Sequence, residues 1–474
     1  MSATLATRLA CAACGATPEA PFVWRCPAAD GDDLDHLMVR TLDPSRVRFP
    51  VDGECNPFVR YRELLHSWQV AQSAGIRDAE YLSLVKRLSE RCREVAGQSF
   101  NVTPFGRDAG LSERLGMNLP GAVWVKDETA NVAGSHKARH LMGLALDLEV
   151  MEWLDPALRA EHQRRGLAIA SCGNAALAAA VVARAAGRAL TVFIPTDADP
   201  VVVGRIERLG AHSRICPRTA GQRGDPTMEA FRRAVAAGAI PFCCQGSENG
   251  LTIEGGETLA WEMAFVLAAR GGRLDRLFVQ IGGGALASAC IQGLAEAAAL
   301  GVIDGVPRIH AVQTEGGFPL ARAYRQLRTS VLAPAGQLAT AAAPGPAEEA
   351  RLAHIMWSLR KEPQMVEALD YARHHRGEFM WPWEVAPRSI AHGILDDETY
   401  DWLAVVRGMV ESDGFPVVVG EARLREAHHL AGEATGIAVD PTGTAGLAGL
   451  LELRERGVVG PDESVAVLFT GAQR

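Results

Sequence analysis

The chain has 474 residues, 48% hydrophobic and 22% charged, long and apolar enough for a large core split over more than one domain, which excludes disorder, collagen and a small disulfide scaffold. Lys and Arg number 48 against 56 Asp and Glu, a net charge of -8, so the chain is not built to neutralise a phosphate backbone and no nucleic acid is expected as a partner. The most apolar run, residues 175–183, stops at Arg184, short of the about 18 residues a membrane span needs; with no signal-peptide core at the start, the expectation is a cytoplasmic protein with no membrane partner.

Residues 1–40 stand apart. Cys11-Ala12-Ala13-Cys14-Gly15 is followed by Cys26 and the acidic stretch Asp30 to Asp35, a pattern resembling a zinc ribbon that has lost a ligand, since Ala29 stands where the second pair would close. Asp30, Asp32 or His36 could substitute, but three cysteines alone are a weak signal; the expectation is a degenerate zinc-ribbon-like knob with no metal assigned. The other cysteines, Cys243 and Cys244 among them, read as small buried hydrophobes. Residues 41–98 form a helical extension: Leu64, Leu65, Trp68, Leu82, Val85, Leu88 and Val95 recur at helical intervals across Arg60 to Ala96, and their role is packing.

From about residue 120, β-branched runs alternate with Ala-rich helical runs. Strands are expected at 122–126, 167–171, 190–195, 240–244, 276–281, 308–314 and 465–471. Helices are expected at 174–186, 201–209, 227–237, 254–269 and 285–300. Repeated βα units imply an α/β fold with doubly wound parallel sheets in two domains. Residues 99–474 are taken as the catalytic region, with a smaller α/β subdomain at roughly 138–220. A connector at 333–347 opens an insertion at roughly 333–402 that carries Trp357, Trp381, Trp383 and Trp402.

Four polar positions at strand ends carry the chemistry. Lys137 follows a strand and a Gly-Ser turn at the expected start of a helix, where the helix dipole and burial both disfavour the ammonium and leave an amine able to condense with a carbonyl. Asn174, in Ser171-Cys172-Gly173-Asn174, opens a helix. Gly282, Gly283 and Gly284, followed by Ala285, let backbone N–H groups converge at a helix start, which suits a phosphate dianion; no Walker lysine follows, which argues against a nucleotide triphosphatase. Thr470 ends the last strand with a hydroxyl.

In this order, with Thr103-Pro104, Lys126-Asp127-Glu128, Gly134-Ser135-His136-Lys137-Ala138-Arg139, Ile253-Glu254-Gly255 and Asp440-Pro441-Thr442-Gly443, the chain resembles the fold type II pyridoxal-phosphate enzymes. This is the tryptophan synthase β-subunit family, with threonine synthase, threonine dehydratase and ammonia-lyases. The resemblance covers about residues 99–474. It implies pyridoxal 5'-phosphate as cofactor, carried on Lys137 as a Schiff base, with Asn174 on the ring hydroxyl. It also implies a phosphate cup of Gly282, Gly283, Gly284 and Ala285, and Thr470 facing the pyridine nitrogen. A hydroxyl there does not hold the ring nitrogen protonated, so the ring is a weaker electron sink and prompt loss of a β-substituent is favoured over transamination. His136 either helps hold the phosphate or packs against it. Asp440 reads as a cap.

Ala138 after the lysine resembles dehydratases and ammonia-lyases, and Ser389-Ile390-Ala391-His392-Gly393-Ile394 is similar to a dehydratase segment with His392 in place of Asp. The Cys-rich front end and the helices before residue 96 resemble threonine synthase. The resemblance thus implies a lyase that takes a β-substituent from a small amino acid such as serine or threonine, giving a 2-oxo acid and ammonia. The alternatives are a threonine-synthase-like or β-replacement synthase, or a non-catalytic protein that keeps the fold. A phosphorylated substrate would need a second basic cluster, for which Arg107, Arg139, Arg205 and Arg388 are candidates; Arg139 reads equally as an ion-pair partner of Asp127 or Glu128. Trp381, Trp383 and His392 mark a region where substrate selection could reside, though the tryptophans read better as a packing anchor. Cys172 reads as a small buried residue, with an approach to the substrate as the alternative. Relatives are commonly dimers, which implies a homodimer by analogy.

Overall fold

The β-branched runs become the strands of two parallel sheets in the computed structural model, which describes residues 5–219, 222, 224–333 and 344–473. A two-stranded antiparallel ladder of β1 (Thr7–Cys11) and β2 (Met38–Leu42) precedes them. Next in chain order come β3 (Phe105–Asp108), β4 (Ala122–Asp127), β5 (Leu167–Ala170), β6 (Leu190–Ile194), β7 (His212–Ile215), β8 (Ile240–Pro241), β9 (Arg276–Gln280), β10 (Arg308–Thr314), β11 (Val417–Val419) and β12 (Ser464–Phe469). The larger sheet has the order β11-β10-β9-β12-β4-β3, parallel except where β3 runs against β4 at the edge. The smaller sheet has the order β7-β6-β5-β8 and is parallel throughout. These are the expected doubly wound parallel sheets of a mixed α/β fold.

Burial follows position in the sheet. β9 and β12 are buried at every residue, as befits central strands covered on both faces by helices. β7 is almost wholly exposed, and its polar sequence at an edge hides it from a search for apolar runs. The smaller sheet takes its last strand from Ile240–Pro241, beyond the boundary near 220 expected from sequence, because the crossover helix Pro226–Ala236 returns the chain to β5. The extended segment expected at 240–244 keeps ladder pairing only at its first two residues. In the helical extension, His66–Ser73 and Asp78–Ala96 bury Val70, Leu84, Val85 and Leu88, as the periodicity requires. The connector expected at 333–347 lies mostly outside the described residues; its last two residues open the helix Pro346–Ser358, and the helix Pro363–His374 follows. Among the described residues no helix is long and apolar enough to cross a membrane.

The helix Lys137–Leu154 is seated by backbone contact. A Cβ on its Gly143 would come within 2.9 Å of the Gly255 Cα in the helix Thr252–Ala269, and one on Gly255 would overlap the Arg139 carbonyl oxygen. No side chain fits between these helices, so the axis of the Lys137 helix is set by two glycines at van der Waals distance.

Candidate active site

The loops that follow β4, β5, β9 and β12 gather at the carboxyl ends of the strands, where open α/β sheets place their ligands. Lys137 is the first residue of its helix and is half-buried. The turn before it bends through Ala133, whose φ is 57°. Ser135 then bridges to Gly471, and the His136 N–H donates to the Thr470 carbonyl at 3.2 Å, joining the lysine loop to the end of β12. The His136 Nδ1 lies 3.2 Å from the same carbonyl; a carbonyl only accepts, so Nδ1 carries the proton. Burial, with Lys137 beside it, holds this imidazole well below its ordinary range. The neutral ring therefore presents an acceptor at Nε2, which has no partner among the described residues. A phosphate needs donors, and the geometry favours the packing role for His136.

Thr470 is buried, and its Oγ1 accepts from Gln280 Nε2 at 2.5 Å. The Gln280 amide is oriented by the Gly443 and Leu468 carbonyls, at 3.2 and 3.0 Å. Because Nε2 has no lone pair, the Thr470 O–H is left free to donate, which suits an unprotonated ring nitrogen. Asn174 starts the helix Asn174–Ala185; its Nδ2 donates to Asp440 Oδ2 at 3.2 Å and its Oδ1 is buried without a partner among the described residues. Asp440 caps its own turn, accepting from the Gly443 N–H at 2.6 Å, as the sequence suggests, and also orients Asn174. Gly471 permits this pairing, since a Cβ there would lie 2.6 Å from both Asn174 Nδ2 and Asp440 Oδ2.

Gly282, Gly283 and Gly284 turn from β9 into the helix Ala285–Ala299, with Gly284 at a φ of 104° that L side chains avoid. The turn already cradles an anion: the carboxylate of Asp396 sits where a Cβ on Gly282 would go and accepts from the Gly283 backbone. Burial pushes Asp396 up to about 6, against the pull of Lys137 and with a further push from Asp225 and Asp397. Thr399 Oγ1 donates to the Gly282 carbonyl at 3.0 Å, and the Asp401 N–H donates to the Gly283 carbonyl at 3.2 Å. Asp401 is buried, neither of its oxygens has a hydrogen-bond partner among the described residues, and burial lifts it to about 8.

This rim of Asp396, Thr399 and Asp401 was missed in the sequence, which pointed to Trp381, Trp383 and His392 in the same insertion. Trp381 and Trp383 stack on Arg322, at 3.7 and 5.0 Å, the packing anchor that was their preferred reading, and His392 is exposed. The acidic triplet Asp396-Asp397-Glu398 was the available signal. Cys172 is not the buried residue expected but an exposed one; desolvation of its thiol, then Asp197, Asp225 and Asp396, push it up to about 11.

Arg139 does not face the site. It is fully buried, with Nε 2.8 Å from Glu128 and Nη1 2.7 Å from Glu262. Lys126 pairs with Glu262 and donates to the Thr103 carbonyl at 2.9 Å. Two cations and two anions thus close a neutral network beneath the Lys137 helix, and both charge partners are needed there. Arg107 lies over the Trp124 ring at 5.3 Å.

A lysine amine at a helix start, a glycine turn that accepts an anion, a free hydroxyl donor and an orphaned asparagine oxygen fit a phosphorylated aldehyde; fold and site together define a pyridoxal-phosphate protein of fold type II. The chain belongs to the pyridoxal-phosphate dependent enzyme family, whose model matches residues 98–380. It is 23% identical over 370 residues to the threonine synthase of Methanosarcina acetivorans, covering 78% of this chain and 74% of that protein. It is 27% identical over 227 residues to the biosynthetic L-threonine dehydratase of Haemophilus influenzae, covering 48% of this chain and 38% of that protein. Among solved structures it is similar to the diaminopropionate ammonia lyase of Escherichia coli, with a TM-score of 0.54, 16% identity and coverage of 82% of this chain and 88% of that one.

Proposed function

We propose that the chain is a lyase that eliminates the β-substituent of a small amino acid whose side chain bears no phosphate, most simply serine or threonine, releasing a 2-oxo acid and ammonia. The observation that carries this reading is the charge at the cleft. Asp197 and Asp225 both act on Cys172, two residues before Asn174, while Arg139, a candidate for a second phosphate, is spent on Glu128 and Glu262. A phosphorylated side chain would enter a field of its own sign.

In this reading Lys137, Asn174, Gly282, Gly283, Gly284, Ala285 and Thr470 hold pyridoxal 5'-phosphate, which supplies an electron sink for the bond broken at the substrate's Cα. Lys137 Nζ would take the α-proton of the bound substrate. Thr470 donates its hydroxyl hydrogen without delivering a full positive charge, so the sink stays weak and loss of the β-group is the easier exit. With serine, the β-hydroxyl leaves as water and one water returns on hydrolysis, so the net products are the 2-oxo acid and ammonia.

A threonine-synthase-like activity is the second reading, favoured by the match to threonine synthase over 78% of the chain. Incubating the holoenzyme separately with L-serine, L-threonine and O-phosphohomoserine, and assaying 2-oxo acid and inorganic phosphate, separates the two. The lyase reading expects 2-oxo acid from serine or threonine and no phosphate release; phosphate released with threonine formed, and no 2-oxo acid, overturns it.

A further inference from the structure

Residues 5–40 supply none of the cofactor-holding residues named above, yet Cys11, Cys14, Cys26 and His36 converge on one point. The ladder of β1 and β2 sets Cys11 opposite Met38, and the Ala12 N–H donates to the Leu37 carbonyl at 2.8 Å, which brings His36 alongside Cys11. The turn after Cys11 closes through Gly15, at a φ of 73°, with the Gly15 N–H donating to the Cys11 carbonyl at 3.0 Å. Cys26 begins a second tight turn, in which the Ala29 N–H reaches the Cys26 carbonyl at 3.2 Å and the Ala28 N–H points at the Cys26 sulfur from 3.4 Å.

The ligand atoms of Cys11, Cys14, Cys26 and His36 all lie within 4.8 Å of one another. Cys14 and Cys26 Sγ are 3.5 Å apart without a disulfide, and Cys11 Sγ is 3.4 Å from His36 Nδ1. A tetrahedral ion about 2.3 Å from sulfur and about 2.0 Å from nitrogen spaces its ligands by about 3.5 to 3.8 Å. A second, independent observation is the far side of the imidazole. His36 Nε2 faces the Asp32 carboxylate at 3.2 Å, so Nε2 holds the hydrogen and the Nδ1 lone pair points at the thiols. Metal-bound histidines are oriented in this way by a carboxylate. The sequence counted three cysteines, a missing fourth ligand at Ala29, and Asp30, Asp32 or His36 as substitutes; of these the fold brings His36 to the thiols.

We propose that Cys11, Cys14, Cys26 and His36 bind one Zn(II) ion as a closed structural site, with Asp32 as the positioning residue for His36. Three thiolates and an imidazole select zinc over the hard divalent cations, and four protein ligands leave no open position for catalysis. The ion ties together a module that docks through Arg40 onto Glu254, Glu257 and Glu296 and through Asp35 onto Arg376.

The test uses the full chain, purified reduced from cells grown with added zinc. Metal analysis is expected to find one zinc per chain, and zinc-edge X-ray absorption three sulfur ligands and one nitrogen. The His36→Cys variant should keep the ion with a fourth sulfur, and Asp32→Asn should weaken it about tenfold or more in a chelator competition. No zinc in the wild-type chain, a shell of nitrogen and oxygen only, or a different metal at these ligands overturns the proposal. The absorption measurement on the wild type decides even if a variant fails to fold.

Discussion

Asp396 sets a carboxylate against the amides a cofactor phosphate would use, and its removal has a calculable effect. Burial pushes this carboxyl up to about 6, so at pH 7.5 it is ionised in the cofactor-free protein. Holding it neutral about 1.5 units above its pKa costs about 2 kcal/mol, at about 1.4 kcal/mol per unit, or about 30-fold in affinity. Asp396→Asn should therefore bind pyridoxal 5'-phosphate about 30-fold more tightly than wild type at pH 7.5. As pH falls through about 6 the wild-type carboxyl takes up its proton and the two proteins converge. The folded pKa lies above the ordinary value of 3.8, so cofactor-free wild type loses stability as pH rises from 3.8 toward about 6, and the variant should melt higher at pH 8. The assay is a spectral titration of cofactor-free protein from pH 5.5 to 8.5, taking the ratio of the two affinities so that titration of the phosphate itself cancels. A ratio that does not change with pH, or a variant that binds more weakly throughout, refutes the reasoning.

Glu262→Gln leaves Lys126 and Arg139 buried with only Glu128 between them, and urea unfolding should show a loss of about 3 to 5 kcal/mol; a loss under about 1 kcal/mol would mean the network does not hold the Lys137 helix. Thr470→Val removes the hydroxyl held by Gln280 and should weaken cofactor binding about tenfold or more, while Thr470→Ser restores it; equal affinity in all three proteins would exclude the hydroxyl from the ring nitrogen. Gly471→Ala pushes a methyl onto Asn174 and Asp440, and cofactor titration should show a clear loss of affinity with the far-ultraviolet circular dichroism unchanged.

The central strands were legible because β9, β10 and β12 are apolar runs bounded by glycine or charge, and burial on both faces writes itself into composition. The edge strands β3 and β7 were not, since one side of each faces solvent or ends the sheet and no apolar run marks it. Of the site, the residues at strand ends stood out as an ordered series, whereas their supports did not. Gln280 reads as the last residue of a strand, and its amide matters only because Thr470 lies beside it in space. Asp396 lies far along the chain from Gly282, and the return of the insertion to the glycine turn is a tertiary fact. His36 was offered by the sequence beside Asp30 and Asp32, and it is the pairing of β2 with β1, which residue spacing alone does not reveal, that selects it.

The account depends most on Lys137. Borohydride reduction of the holoprotein, digestion and mass mapping should place one pyridoxyl group on the peptide that contains Lys137, with the Lys137→Ala protein unlabelled and colourless. A label on Lys86, Lys126 or Lys361, or no label at all on the wild type, would contradict it.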